Sequence, residues 1–70
     1  MMPLALADVG TENLIRKVGG SPEVRRHLEE LGFVAGGTAT VMATMSGNII
    51  VKVKEARVAI SAEMARKIMV

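Results

Sequence analysis

Cysteine is absent from this chain of 70 residues, which excludes disulfides, cysteine-based zinc sites and thiol catalysis and fits a reducing compartment. Tryptophan and tyrosine are also absent, and Phe33 is the one aromatic residue. Single-stranded nucleic acids are usually bound by basic residues interleaved with aromatics, a pattern this chain does not have. The formal net charge of +2 is too small to indicate nucleic acid by itself.

Apolar residues make up 50% of the chain, and valine, isoleucine, leucine, alanine and six methionines supply nearly all of them. A chain of this length forms a single domain, here residues 1–70, which buries only about 60% of its unfolded surface. The apolar fraction is high for so small a core. We therefore expect part of the apolar surface to remain exposed for a partner.

No charged residue occurs between Phe33 and Val51, a stretch that is nearly long enough to span a membrane. It contains paired glycines, three threonines and the sequence Ser46-Gly47-Asn48, and its apolar residues alternate with a period of two. These features predict a β-hairpin rather than a transmembrane helix. The sequence near Met1 lacks the basic and apolar regions of a signal peptide, so we expect none.

A single well-delimited helix is predicted over residues 22–31. Ser21 is a good N-cap, Pro22 suits the first helical position, and Gly32 can adopt the left-handed conformation that ends a helix. Phe33 then packs back on the last turn. The apolar stripe of this helix, at i, i+4 and i+7, consists of Val24, Leu28 and Leu31.

The rest of the chain is predicted to form short strands. A first strand spans residues 11–18, with a bulge near Arg16-Lys17 that lets Ile15 and Val18 face the same side. Strands over residues 38–45 and 49–54 are joined by a three-residue connection, which pairs Met45 with Ile49. In that register Ala39, Val41, Ala43 and Met45 share the inner face with Ile49, Val51 and Val53.

A second hairpin is predicted to turn at Glu55-Ala56, pairing Val53 with Val58 and Val51 with Ile60. Ser61 caps a short helical turn, and Ile68-Met69-Val70 forms a last strand. The predicted core comprises Ile15, Val18, Val24, Leu28, Leu31, Phe33, Val41, Ile49, Val51, Val53, Val58, Ile60 and Ile68. This pattern indicates an all-β fold: a small barrel of five to six short strands with one inserted helix, SH3-like or OB-like. The helical turn before the last strand favours the SH3-like barrel.

The sequence resembles the FeoA family of bacterial ferrous iron uptake along nearly its whole length. The matching stretches are Arg26-His27-Leu28 with Leu31-Gly32-Phe33-Val34 and Gly36, Asn48-Ile49-Ile50-Val51-Lys52-Val53, Arg57-Val58-Ala59-Ile60, and Ala65 with Lys67-Ile68-Met69-Val70. The resemblance implies an SH3-like barrel with its helix after the first strand. It also implies a cytoplasmic adaptor or regulator whose partner is FeoB, a membrane permease with a GTPase domain.

Two positions depart from the pattern of the family. Ala35 stands where proline is frequent, and Glu55-Ala56 replaces a turn that usually contains glycine. The barrel is also similar to the C-terminal domain of diphtheria-toxin-repressor-like metalloregulators, which follows a DNA-binding domain that this chain lacks. The alternative function is therefore a free-standing barrel that senses metal or binds nucleic acid, an analogy of fold alone.

Chemistry-bearing residues are few. Glu23 and His27, one helical turn apart, offer two ligands to a divalent metal, but the sequence shows no third. The alternative for His27 is a hydrogen-bonded or half-buried residue at the edge of the apolar stripe. No set of residues suits catalysis. We expect no enzymatic activity, no cofactor and no resident metal.

The candidate site is a partner-binding surface. In the predicted register Lys52, Lys54 and Arg57 lie on one outer sheet face together with Met42 and Ile50, which form an apolar centre with a basic rim. Such a face suits an acidic patch on a partner or an anionic membrane surface, without insertion into the membrane. Arg25 and Arg26 on the helix are further candidates. The alternative is ordinary solubilising charge, with Arg25 and Arg26 paired to Glu29 and Glu30. Nucleic acid is not an expected partner, and weak self-association stays open.

Overall fold

A computed structural model describes all 70 residues. After a single 3₁₀ turn at Leu4–Leu6, the strands are β1 (Glu12–Leu14), β2 (Lys17–Val18), β3 (Thr38–Met45), β4 (Asn48–Val53), β5 (Ala56–Ser61) and β6 (Ile68–Met69). Helix α1 (Pro22–Leu31) lies between β2 and β3, and the short helix α2 (Ala62–Ala65) lies between β5 and β6. Neither helix is long and apolar enough to cross a membrane.

The strands form two antiparallel sheets. The larger has the order β1-β3-β4-β5, and the smaller pairs β2 with β6. The predicted SH3-like barrel, with its inserted helix and its helical turn before the last strand, is confirmed. Ser61 caps α2 as predicted, because its Oγ accepts a hydrogen bond from the N–H of Met64 at 3.1 Å.

Helix α1 begins and ends at the predicted residues. The Oγ of Ser21 accepts a hydrogen bond from the N–H of Val24 at 3.3 Å. At the other end Gly32 has φ +111°, a value that side chains rarely allow. The N–H of Phe33 then donates to the carbonyl of Leu28 at 2.9 Å, which turns the aromatic ring into the core. Both Leu28 and Phe33 are fully buried.

The predicted single strand over residues 11–18 is wrong: the chain leaves one sheet and enters the other at Ile15. The N–H of Ile15 donates to the carbonyl of Gly37 at 2.8 Å, whereas the N–H of Arg16 donates to the carbonyl of Met69 at 2.8 Å. This change of partner sheet, rather than a bulge, brings both Ile15 and Val18 into the core.

The β3–β4 hairpin differs from its predicted register. Ser46 and Gly47 form a two-residue turn with φ +36° and +83°, so Met45 pairs with Asn48 rather than Ile49. The register then shifts between Val41 and Ala43, leaving Met42 as the extra residue of a bulge. Beyond the bulge the faces exchange. Ala43 is half-buried and Met45 is exposed, so their predicted place on the inner face is wrong.

The β4–β5 hairpin turns one residue earlier than predicted, at Lys54 and Glu55. Val53 pairs with Ala56, and Val51 pairs with Val58. Because moving a two-residue turn by one position shifts the pairing by two, every side chain that remains in β4 or β5 keeps its predicted face. Val51, Val53 and Ile60 are therefore buried as expected.

The core contains ten of the predicted residues in buried positions, while Val24, Leu31 and Val58 pack against it half-buried. Leu4, Ala65 and Val70 are buried but were not predicted. The backbones of Met2 and Val70 exchange two hydrogen bonds of 2.8 Å, so the first residues lie beside β6 and place Leu4 in the core. A three-residue 3₁₀ turn is too short to show a periodic pattern, which is why Leu4 was missed.

Candidate partner interface

The molecule offers an outer surface rather than a cleft. No pocket is found in the structure. No group of three or more histidine, cysteine, aspartate or glutamate side chains is placed to hold a metal ion. His27 is exposed on α1 and makes no side-chain hydrogen bond, so it is neither half-buried nor hydrogen-bonded as the structural alternative expected.

One row of polar side chains crosses all four strands of the larger sheet on its outer face. Glu12 stands opposite Thr40, Thr40 opposite Lys52, and Lys52 opposite Arg57. The row faces outward because Val51 and the other neighbours of Lys52 along β4 point into the core. Two positive charges thus lie side by side at the β5 end of the sheet.

Lys52 and Arg57 have no compensating partner within the molecule. Neither side chain makes a hydrogen bond, since the three side-chain hydrogen bonds of the structure involve Asn13, Ser21 and Ser61. Like charges directly opposite on adjacent strands repel each other. The pair therefore favours an acidic group from outside the chain.

Ile50 occupies the next row of the same face, between Ala43 on β3 and Ala59 on β5. It is half-buried between these two small side chains. Met42 sits at the bulge beside Ala43 and is also half-buried. Both residues of the predicted apolar centre are thus partly covered, and their role in binding stays a prediction.

Lys54 does not belong to the outer face, contrary to the prediction. It occupies the turn after β4 with φ +55°. Its aliphatic stem runs over the end of α1, where its Cδ lies 3.5 Å from the position that a Cβ would take at Gly32. The position of the Lys54 side chain therefore follows from the turn conformation and not from the alternation along β4.

Arg25 and Arg26 lie exposed on α1, whereas Lys52 and Arg57 lie on β4 and β5. The helix packs chiefly against β2 among the strands. Neither arginine makes a side-chain hydrogen bond, so the expected pairing with Glu29 and Glu30 is not formed. These two candidates therefore lie on a different element from Lys52.

Several exposed apolar residues were not among the predicted site residues. Leu6, Val9 and Met45 expose 70%, 60% and 61% of their surface. Leu14 is exposed opposite Thr38, at the β1 edge of the sheet. Met45 could have been found from its turn, since Ser46-Gly47 suits a two-residue hairpin loop; the other three carry no periodic signal.

A family model described as the FeoA domain matches residues 2–70. A relative from Methanocaldococcus jannaschii, provisionally named Fe(2+) transport protein A, is 31% identical over the whole chain and 85% of its own length. The crystal structure of an iron uptake regulatory protein, FeoA, superposes with a TM-score of 0.86 at 28% identity, covering 96% of this chain and 89% of the other.

A zinc complex of Stenotrophomonas maltophilia FeoA, described as a prokaryotic SH3 domain protein, has the same fold. Its TM-score is 0.78 at 23% identity, and the match covers 99% of this chain and 88% of that one. At this identity the similarity concerns the fold alone.

Proposed function

Because this chain belongs to the FeoA family, we propose that it is a cytoplasmic accessory protein of ferrous iron transport that binds a FeoB-type permease. The observation that carries the proposal is the family match over residues 2–70, which includes every strand and both helices. In this proposal the protein performs no chemistry of its own. It acts by binding the permease or its GTPase domain.

The outer face of the larger sheet is the surface that we propose for this contact. Lys52 and Arg57 supply an uncompensated positive pair, and Ile50 supplies an adjacent apolar side chain that is not fully covered. Charged rims act mainly on the rate of association and its salt dependence, whereas apolar centres act on the lifetime of a complex. The complementary region of the permease is expected to be acidic.

The test is a binding measurement against the purified cytoplasmic GTPase domain of the permease from the same genome, at low and at moderate salt. Changing Lys52→Glu together with Arg57→Glu should weaken binding at least tenfold, mostly through slower association. The matched control is Arg16→Glu with Lys17→Glu, which reverses the same number of exposed charges near β2 and should change binding little.

The apolar centre needs a milder change than a carboxylate. Met42 and Ile50 are half-buried, so aspartate at both positions would destabilise the fold as well as the contact. Ile50→Thr keeps a β-branched side chain and should shorten the lifetime of the complex without changing its association rate. Either of two results would contradict the proposal. The first is that the unaltered protein binds neither the GTPase domain nor any other cytoplasmic part of the permease. The second is that a strain without the protein takes up ferrous iron normally.

A further inference from the structure

Strand β5 has a free edge. It is the last strand in the order β1-β3-β4-β5, and it packs chiefly against β4 and, at its end, α2. None of the backbone hydrogen bonds outside the regular elements involves an N–H or carbonyl of Arg57 or Ala59. Both residues are exposed.

The backbone groups at this edge can be identified from the hairpin. In a two-residue hairpin the residues that close the turn, here Val53 and Ala56, exchange both hydrogen bonds, and the bonded pairs then recur at every second position. Val58 and Ile60 therefore bond to β4. The N–H and carbonyl groups of Arg57 and Ala59 point the opposite way, toward the open edge.

The side chains along this edge indicate which residues an added strand would need. On the outer face, the paired charges of Lys52 and Arg57 end the polar row without a counter-charge. On the inner face, Val58 lies at the border of the core and stays half-buried, whereas its neighbour Val51 on β4 is fully buried. An added strand with acidic residues outward and apolar residues inward would satisfy both faces.

We propose that the β5 edge docks an extended acidic segment of a partner protein, which adds to the sheet as a fifth strand. The N–H and carbonyl groups of Arg57 and Ala59 form the ladder, and an acidic side chain beside Arg57 completes the polar row. A second copy of this chain fits less well, because its β5 would bring a second Arg57, with Lys52 beside it on β4, to the new edge. Assigning the segment to the permease rests on the proposed function; the edge itself does not.

A synthetic peptide, Thr-Val-Glu-Val-Glu-Val-Thr with blocked ends, is a suitable probe for this edge. At saturating peptide, hydrogen exchange followed by NMR should slow at least tenfold for the N–H groups of Arg57 and Ala59. The exchange rates of Arg25 and Arg26 serve as an internal control and should not change. The matched peptide with lysine in place of glutamate should bind at least tenfold more weakly.

Two variants distinguish the contribution of the backbone hydrogen bonds from that of the charge on Arg57. Ala59→Pro removes an N–H that faces away from β4, so the protein should stay folded and lose the peptide. Arg57→Glu should reverse the preference in favour of the lysine peptide. The exchange measurement on the unaltered protein decides the matter even if the proline variant does not fold.

Three results would overturn this inference: the glutamate peptide does not bind at millimolar concentration, it binds without slowing exchange at Arg57 and Ala59, or these two groups become protected with rising protein concentration alone. The last result would assign the edge to a second copy. If the peptide fails while the GTPase domain still binds, the edge is wrong and the proposed function stands. If the peptide binds while the GTPase domain does not, the edge stands and the proposed function is wrong.

Discussion

Strands β3 and β5 flank the same central strand, β4, but their surroundings differ. β3 pairs on both sides, with β1 and β4, and carries no charged residue. β5 pairs on one side only and carries Arg57 on its outer face. The two strands therefore differ in what their backbones can do. β3 connects two strands of the sheet, whereas β5 has N–H and carbonyl groups at its free edge that could pair with a partner.

Both strands depend on the core beneath them, and removing its largest side chain should have the largest effect. Phe33 is fully buried at the point where α1 meets the sheet. We expect Phe33→Ala to lower the free energy of unfolding by about 3–5 kcal/mol, a large part of the stability of a domain this small. Urea denaturation measures this loss. Leu14→Ala, at an exposed site of β1, is the control and should change stability little; a mild effect at Phe33 would mean that the core is misassigned.

A proline scan tests the difference between the strands directly. Thr40 lies in the part of β3 that pairs with both β1 and β4, so Thr40→Pro removes a ladder bond and should cost about 1–3 kcal/mol. Ala59→Pro on β5 removes an N–H that faces the open edge, and we expect a markedly smaller loss. Thermal melting of the two variants side by side gives the comparison. Equal losses would mean that the β5 edge is covered in solution.

The turns at the two ends of β4, one leading from β3 and the other to β5, can be compared in the same way. Gly47 has φ +83° with no atom near the position of a Cβ, so Gly47→Ala should cost about 1 kcal/mol through backbone strain alone. Lys54 holds φ +55° without being glycine, and Lys54→Gly should leave stability equal or raise it by up to about 1 kcal/mol. Denaturation midpoints of both variants measure this. Changes of the same sign would argue against a left-handed residue in one of the turns.

The sequence allowed the helix, the strand order along the chain and most of the core to be predicted, because these depend on local caps and on periodicity. The residues on each face of β5 were predicted correctly although its turn was not, since the wrong turn shifted the register by two residues. The outer end of β3 was assigned to the wrong face because the bulge at Met42 has no glycine or proline to mark it. Lys54 was misplaced for a related reason: lysine does not signal positive φ.

For the candidate site, sequence reasoning found Lys52, Arg57 and Ile50 on one face but could not find the free edge beside them. Which strand ends a sheet depends on contacts distant in sequence, here on the pairing of β2 with β6, which leaves β5 without a second neighbour. Arg25 and Arg26 were added from charge alone. The structure places them on helix α1 rather than on the sheet.

The smallest expected effect on stability is that of Arg57→Glu, which should stabilise the fold slightly while it weakens binding. Lys52 and Arg57 repel each other across β4 and β5, so Arg57→Glu should create an attractive cross-strand pair and raise the free energy of unfolding by a few tenths of a kcal/mol. Because the pair is exposed, the gain should shrink at high salt. The same change should abolish docking of an acidic segment. Urea denaturation at low and high salt, set beside binding of the glutamate peptide, makes the test, with Arg57→Gln as the charge-neutral control. A variant that loses stability and binding together would mean that Arg57 supports the fold, and the positive pair would then need no partner to explain it.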